Sequence, residues 1–229
     1  MDASNAFLPP TVEGLRTGDN PARWVGHLKE AEGLKTRKGK DRKNHAALDY
    51  REIPDFIGKL RKLTSVSAMA LEFAILTAAR TGEIIGATWS EIDLEQRMWT
   101  VPADRMKAGK EHRVPLNDRA IAILQKLRTF SKLGPYDAVF QSGIGGRPLS
   151  NMALLQCLKG IRKGVTTHGF RSTFSDWTGE TTTHDAETRE FALAHVKGDK
   201  AESAYRRGTS FDKRRALLKE WESYLNTVQ

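Results

Sequence analysis

The chain has 229 residues, 28% charged and 39% hydrophobic, which is the balance of a folded protein and excludes a disordered chain. Lysine and arginine number 37 against 28 aspartate and glutamate, and the net charge of +9 favours a polyanionic partner, either nucleic acid or an anionic membrane surface. A single cysteine excludes a disulfide framework and a cysteine-rich zinc site. Because no apolar run is long enough to span a bilayer and no secretion signal is present, we expect an intracellular protein in a reducing compartment.

The first 48 residues are predicted to form two segments. Residues 1–34 are punctuated by proline and glycine and are too short to bury a core, so they indicate the end of a larger domain. Residues 35–48 are predicted to be a basic linker, which is either a solvated tether or also a contact to a nucleic-acid backbone. The cations predicted to make that contact are Lys35, Arg37, Lys38, Lys40, Arg42 and Lys43.

Residues 49–229 are predicted to form one mainly helical domain with a small antiparallel β-sheet, an α+β fold. The patterns predict helices over residues 54–63, 66–79, 118–130, 150–161, 168–178, 186–194 and 212–225, with a short one beginning at 81. Strands are predicted at 89–93, 98–101 and 112–116. Because residues 107–110 are typical of a turn, the last two strands should form a hairpin.

Two arginines occupy positions where an anion site is expected. Arg80 follows an apolar helix and precedes Glu83 by three residues, so the pair is either a surface ion pair or a phosphate-binding guanidinium oriented by Glu83. Arg171 follows His168 at helical spacing, which places both side chains on one face near a helix N-terminus that favours anions. Either pattern alone is common by chance.

Three further side chains carry proton-transfer or nucleophilic chemistry. Lys107 lies in the predicted hairpin turn, where a lysine is usually solvated but can reach a site and donate a proton. His195 ends a helix among apolar neighbours, where a structural role is the commoner one. Tyr205 precedes two arginines, whose charge favours the nucleophilic phenolate. Taken together, the six residues indicate one phosphate-centred site, in which arginines stabilise the transition state and histidine and lysine move protons.

The order Arg80, Lys107, His168-x-x-Arg171, His195 and Tyr205 resembles that of the tyrosine recombinases, or phage integrases. The surrounding strings AARTGE, MKAGKEHRVPL, THGFRSTF, LAH and AYRRG agree with the resemblance, which covers about residues 20–229. The strings NPARWVGHL and KRRALLKEWESYL resemble the subgroup found in prophages and genomic islands. The resemblance implies a mostly helical catalytic domain, here 49–229, and a preceding core-binding domain, of which 1–34 would be the tail.

The resemblance also implies a mechanism without metal, ATP or another cofactor. The tyrosine attacks a scissile DNA phosphate, forms a 3′-phosphotyrosyl link, and a 5′-hydroxyl from another strand then reseals the backbone. The implied roles are Tyr205 as nucleophile, Arg80 and Arg171 on the non-bridging oxygens, Lys107 as the acid for the leaving 5′-oxygen, His168 as acid–base, His195 as a phosphate hydrogen-bond donor and Glu83 as a supporting residue.

The partners implied by the resemblance are double-stranded DNA at attachment sites, further copies of the chain in a DNA-bound tetramer, and accessory DNA-bending or directionality factors. Without DNA we expect a monomer, with no membrane partner, in the bacterial cytoplasm in association with the nucleoid. The amphipathic segment 212–225 is either packed on its own domain or docked on a neighbouring protomer.

Three other functions stay open at this point. A type IB topoisomerase shares the tyrosine chemistry but only relaxes supercoils, and a non-catalytic remnant would occupy an attachment site without cutting it. A zinc hydrolase could be built on His168, His184 and His195, although their spacings of sixteen and eleven residues match no familiar ligand pattern.

Overall fold

The computed structural model of the chain describes residues 45–129, 134–143, 146–195 and 210–227. Contacts divide the chain into the units 1–44 and 45–229, so every described residue belongs to the second unit. This division falls inside the predicted linker 35–48. The segment 1–34 and the six linker cations lie outside the described residues, and their assignment stays a prediction.

The described residues form eight α-helices around a small sheet, which confirms the predicted mainly helical α+β class. None of these helices is sufficiently long and apolar to cross a membrane. Each predicted helix is present with small shifts at its ends. The helices are α1 Ile53–Leu60, α2 Val66–Thr77, α3 Thr81–Ile85, α4 Asp118–Arg128, α5 Ala153–Ile161, α6 Gly169–Thr181, α7 Ala186–Ala192 and α8 Phe211–Leu225.

The sheet has three antiparallel strands in the order β1-β2-β3, with β1 Ile92–Asp93, β2 Met98–Val101 and β3 His112–Pro115. The predicted hairpin is confirmed, because β2 pairs with β3 and Val101 lies opposite His112. The first predicted strand is shorter than expected. Its first residues, Trp89–Glu91, form a 3-10 turn instead.

Helix α2 is the centre of the core. Every residue from Ala68 to Thr77 is buried, as expected for a helix that is apolar on all sides. It contacts α1, α3, α4, α5, α6 and α8. The hydroxyl of Ser65 caps its start by accepting a hydrogen bond from the backbone N–H of Ala68, and it ends at Ala78, whose φ of 50° is left-handed. That turn directs the chain into α3.

Helix α8 packs on its own domain. The indole N–H of Trp221 donates to the carbonyl of Ile75 in α2 at 2.9 Å, and its ring lies 4.7 Å from that of Trp177 in α6, centroid to centroid. The Glu222 carboxylate accepts hydrogen bonds from two backbone N–H groups at the start of α4, at 3.2 and 2.6 Å. These contacts show that residues 212–225 pack on their own domain; docking on a neighbouring protomer stays a prediction.

Candidate active site

Arg80 lies at the junction of α2 and α3, where Glu83 holds it. Its backbone N–H donates to Glu83 Oε2 at 2.9 Å, and its Nη1 donates to Oε1 at 2.8 Å. The Glu83 side chain is 6% exposed and that of Arg80 is 23% exposed, so the pair sits at the edge of the core. Glu83 is itself fixed, since Arg105 Nη2 donates to its carbonyl at 2.6 Å. The contact agrees with the orienting role predicted for Glu83, while its part in catalysis stays a prediction.

Arg171 on α6 is 5% exposed and ties three chain segments together. Its Nη1 donates to the carbonyl of Ala78 at the end of α2, and its Nη2 donates to the carbonyl of Leu193 at the end of α7 at 2.5 Å. Burial lowers the pKa of Arg171 to about 10, and the neighbouring Arg80 cation contributes to the shift. The guanidinium nevertheless remains charged at neutral pH, so α6 presents a fixed positive charge beside Arg80.

His195 follows α7 and is joined to Arg171. Its Nε2 lies 3.2 Å from Arg171 Nη2, and its Nδ1 lies 3.1 Å from Glu190 Oε2. Because a guanidinium can only donate, Nε2 must be the acceptor, and the proton of the neutral ring is on Nδ1, facing Glu190. Partial desolvation lowers the pKa of His195, and the Glu190 hydrogen bond opposes that shift.

Two left-handed residues form the turns that hold the arginines. Ala78 has a φ of 50° and Ala194 a φ of 48°, a conformation that alanine rarely adopts. The carbonyl of Ala78 accepts from Arg171, and that of Ala194 accepts from Arg80 Nη2 at 3.3 Å. Such backbone strain clusters at functional sites. Here each strained turn supplies one carbonyl to one of the predicted phosphate-binding guanidinium groups.

His168 is the N-cap residue of α6 and is exposed. Its ring lies 4.3 Å from the ring of His45, centroid to centroid. Partial desolvation, then His45 and then the cations of Arg171 and Arg80 lower the pKa of His168. The ring is therefore biased towards its neutral form, which is the form that can accept a proton.

Lys107 occupies the turn between β2 and β3, as predicted, and is exposed. The turn closes through Gly109, whose φ of 63° favours glycine and whose N–H donates to the carbonyl of Met106 at 2.9 Å. Within the described part of the chain, no hydrogen bond or ion pair joins Lys107 to the other candidate residues. Tyr205, the predicted nucleophile, lies outside the described residues.

His112 is a site residue that the sequence analysis missed. It begins β3 and is half-buried, and burial followed by the cations of Arg214, Arg80 and Arg171 lowers its pKa to about 3. A neutral imidazole thus lies within electrostatic range of both predicted phosphate-binding arginines. The sequence did contain a signal for this position. Residues two apart on a strand share a face, so His112 lies on the same face of β3 as the buried Val114.

The sequence analysis also did not identify Arg214 on α8 as a buried residue. It is 1% exposed, its Nη1 donates to the carbonyl of Arg113 on β3 at 2.6 Å, and burial lowers its pKa to about 10. This contact fixes β3, and with it His112, against α8. An arginine in a charged stretch of an amphipathic helix gave no sign of burial in the sequence.

The zinc alternative finds no support in the described residues, where no group of three His, Cys, Asp or Glu side chains is placed to hold a metal ion. His184, one of its three supposed ligands, instead has its Nε2 3.0 Å from Glu220 Oε2 on α8.

The sequence is similar to those of known integrases. Residues 46–208 match the sequence model of a family described as the phage integrase family. Prophage integrase IntZ of Escherichia coli K12 is 33% identical over 189 residues, which cover 81% of this chain and 46% of that protein. The integrase of Shigella phage Sf6 is 32% identical over 200 residues, covering 82% of this chain and 50% of that protein. The chain thus spans about half the length of these integrases.

Solved structures share the fold. The integrase from mycobacterium phage Brujita superposes with a TM-score of 0.58 at 18% identity, covering 96% of this chain and 69% of that one. A lambda integrase dimer bound to a COC′ core site gives a TM-score of 0.54 at 20% identity, covering 76% of this chain and 68% of that one.

Proposed function

The chain belongs to the phage integrase family, and from that premise we propose that it is the catalytic part of a site-specific tyrosine recombinase. It would break and rejoin double-stranded DNA at attachment sites, for the integration or excision of a prophage or genomic island. The observation that carries the proposal is the joined set of Arg80, Arg171 and His195. Two cations and an imidazole, contributed by three separate segments of the chain, would form a site for a phosphate diester.

The proposed reaction exchanges one phosphodiester for another. The Tyr205 oxygen attacks the scissile phosphorus, the bond to the 5′-oxygen breaks, and a 3′-phosphotyrosyl ester remains. His168 takes the phenolic proton and Lys107 gives a proton to the departing 5′-oxygen, so charge and protons balance. In the second step, a 5′-hydroxyl from another strand attacks the ester and releases the tyrosine. The ester conserves the bond energy, so the scheme uses neither ATP nor metal.

The two arginines would stabilise the negative charge that develops on the non-bridging oxygens. Arg171 is fixed before substrate arrives, because carbonyls at the ends of α2 and α7 accept from its guanidinium. Arg80 is more exposed, and the Nη1 atom of its guanidinium donates a hydrogen bond to Glu83. The phosphate charge would also raise the pKa of His195. A protonated Nε2 can no longer accept from Arg171, so it would leave that contact and donate to the phosphate instead.

The two DNA-related alternatives are not favoured. A topoisomerase would share the cleavage chemistry, yet the similar proteins reported above are integrases. A non-catalytic remnant would have no need of the complete set of six predicted catalytic residues, which the sequence carries in order. Association into a tetramer on DNA from a DNA-free monomer, accessory bending or directionality factors, and a nucleoid location in the bacterial cytoplasm belong to the same proposal.

The test uses a DNA half-site from the element's own attachment region, with a nick beside the scissile phosphate. Cleavage releases a short fragment that diffuses away, so any covalent protein–DNA adduct accumulates. The wild-type chain should give a shifted band on a denaturing gel in the presence of EDTA, and Tyr205→Phe should give none while still binding DNA. Tyr136→Phe is the matched control, since Tyr136 is 85% exposed and has no assigned role.

Either of two results would contradict the proposal. An adduct formed by Tyr205→Phe would assign the nucleophile to another residue. If neither chain forms an adduct, even in a longer protein that carries a core-binding domain before this chain, the result would favour the non-catalytic alternative.

A further inference from the structure

The first described residues, 45–48, are fastened to the start of α6, the helix that carries His168 and Arg171. The carbonyl of Ala46 accepts from the backbone N–H of Thr166 at 3.0 Å and from its hydroxyl at 3.3 Å. The carbonyl of Leu48 accepts from the hydroxyl of Thr173 at 2.6 Å, and the Leu48 side chain is 4% exposed. The segment therefore has a fixed position relative to α6.

A glycine permits this close approach. A Cβ on Gly169, the first residue of α6, would lie 2.2 Å from the carbonyl oxygen of Ala46, far inside van der Waals contact. Any other residue there would push the segment away from the helix. The glycine that follows His168 thus leaves room for the backbone of residues 45–48 to pack against the start of α6.

His45 occupies the end of this segment and places its ring on that of His168. The centroids are 4.3 Å apart and the planes are tilted by 57°. The other titratable groups that act on His168 are Arg171 on the same helix, Arg80 before α3 and His195 after α7. All three are cationic or become so. Burial lowers the pKa of His168, and His45 and these three groups add to the shift.

We propose that His45 is a positioning residue for His168, and that the segment by which the chain joins this unit is itself part of the active site. His45 holds the acid–base ring against the start of α6 and keeps it in the form that accepts the tyrosine proton. A displacement of residues 45–48 would therefore change the acid–base step directly. This inference rests on the proposed role of His168 in recombination.

The first arm of the test is independent of DNA chemistry. The imidazole of His168 is titrated by NMR in the full chain, with His184 as an internal reference because it pairs with Glu220 elsewhere. In His45→Ala the midpoint of His168 should move to higher pH, since a ring that desolvates His168 and lowers its pKa is removed. His45→Phe keeps a ring and should move the midpoint less. An unchanged midpoint in a folded His45→Ala chain would overturn the proposal.

The second arm measures adduct formation on the nicked half-site from pH 5.5 to 8.5. His45→Ala should shift the acidic limb of the rate to higher pH, with a several-fold loss near pH 6.5 and recovery towards the wild-type rate at pH 8.5. A uniform loss at every pH would indicate a merely structural role and would contradict the proposal. If the wild type forms no adduct, the proposed function fails, and the NMR arm still decides whether His45 acts on His168.

A glycine pair separates the position of the segment from the chemistry of His45. Gly169→Ala should displace the segment and reproduce the NMR shift of His45→Ala, although both histidines are retained. Gly160→Ala is the matched control, because a Cβ on Gly160 in α5 meets nothing within 4 Å. If Gly169→Ala leaves the His168 midpoint unchanged, the segment does not position the ring. If it does not fold, the two His45 variants decide the question.

Discussion

The helical side and the hairpin side of the candidate active site are built in opposite ways. On the helical side, Arg171 is 5% exposed, and its guanidinium is hydrogen-bonded to two backbone carbonyls and to His195. On the hairpin side, Lys107 is exposed in a turn closed by a backbone hydrogen bond to Met106. We infer that the phosphate-binding face is formed before DNA arrives, whereas the proposed proton donor obtains its position from the substrate.

His112 lies between the two sides. It begins the strand that follows the Lys107 turn, yet burial and then the cations of Arg214, Arg80 and Arg171 lower its pKa. The charge of the site therefore acts on the His112 ring, which lies at the base of the hairpin. Substitutions at Arg171, Lys107 and His112 should consequently differ in kind, and the difference can be measured.

The largest effect is expected for Arg171→Ala, which should reduce both catalysis and stability. Loss of a preorganised donor lowers the rate by about 10²–10³-fold. Loss of charge-assisted hydrogen bonds, partly offset by relief of desolvation, should lower the free energy of unfolding by roughly 2 kcal/mol. Adduct formation and urea unfolding measure the two effects. A variant of unchanged stability would contradict the view that Arg171 ties α2 to α7.

Lys107→Ala should reduce the rate by about 10²-fold or more and leave stability within roughly 0.5 kcal/mol, because the side chain is exposed. A half-site with sulfur in place of the bridging 5′-oxygen tests the role of Lys107, since a thiolate leaves without a proton donor. That substrate should restore the rate of Lys107→Ala but not that of Arg171→Ala. Equal rescue of both variants would remove the distinction between the two sides.

The smallest effect is expected for His112→Gln, as a change in the pH dependence of stability. The pKa of His112 is about 3 in the folded chain against an ordinary 6.5. Between these values the unfolded chain binds a proton that the folded chain does not, so this contribution to stability is complete above pH 6.5 and is lost as the pH falls towards 3. The wild type should therefore lose up to about 1.4 kcal/mol per pH unit more than the variant in that window.

Urea unfolding of both proteins at pH 7, 5.5 and 4.5 checks this prediction. The gap between wild type and His112→Gln should shift in favour of the variant as the pH falls. Parallel stability curves would mean that neither burial nor the neighbouring arginines lower the pKa of His112 in the folded chain.

Local patterns predicted the elements and one contact of the site. The apolar run of α2 and the period-two strands predicted a correct helix and a correct hairpin, since these signals act over a few residues. The Arg80–Glu83 pair also follows from spacing, because both lie on one helical turn. The chemistry assigned to the six residues came from their order, and Tyr205 lies outside the described residues.

The sequence by itself determined the secondary structure, the cationic character of the chain and the residue types suited to a phosphate. The tertiary structure alone placed the residues relative to one another. Arg171 and His195 are brought together by left-handed turns at Ala78 and Ala194, and neither alanine carries a local signal for that conformation. The tertiary structure also placed the ring of His45 against that of His168, and it placed His112 near the arginines. These contacts join segments far apart in the chain, and only packing around α2 sets their distances.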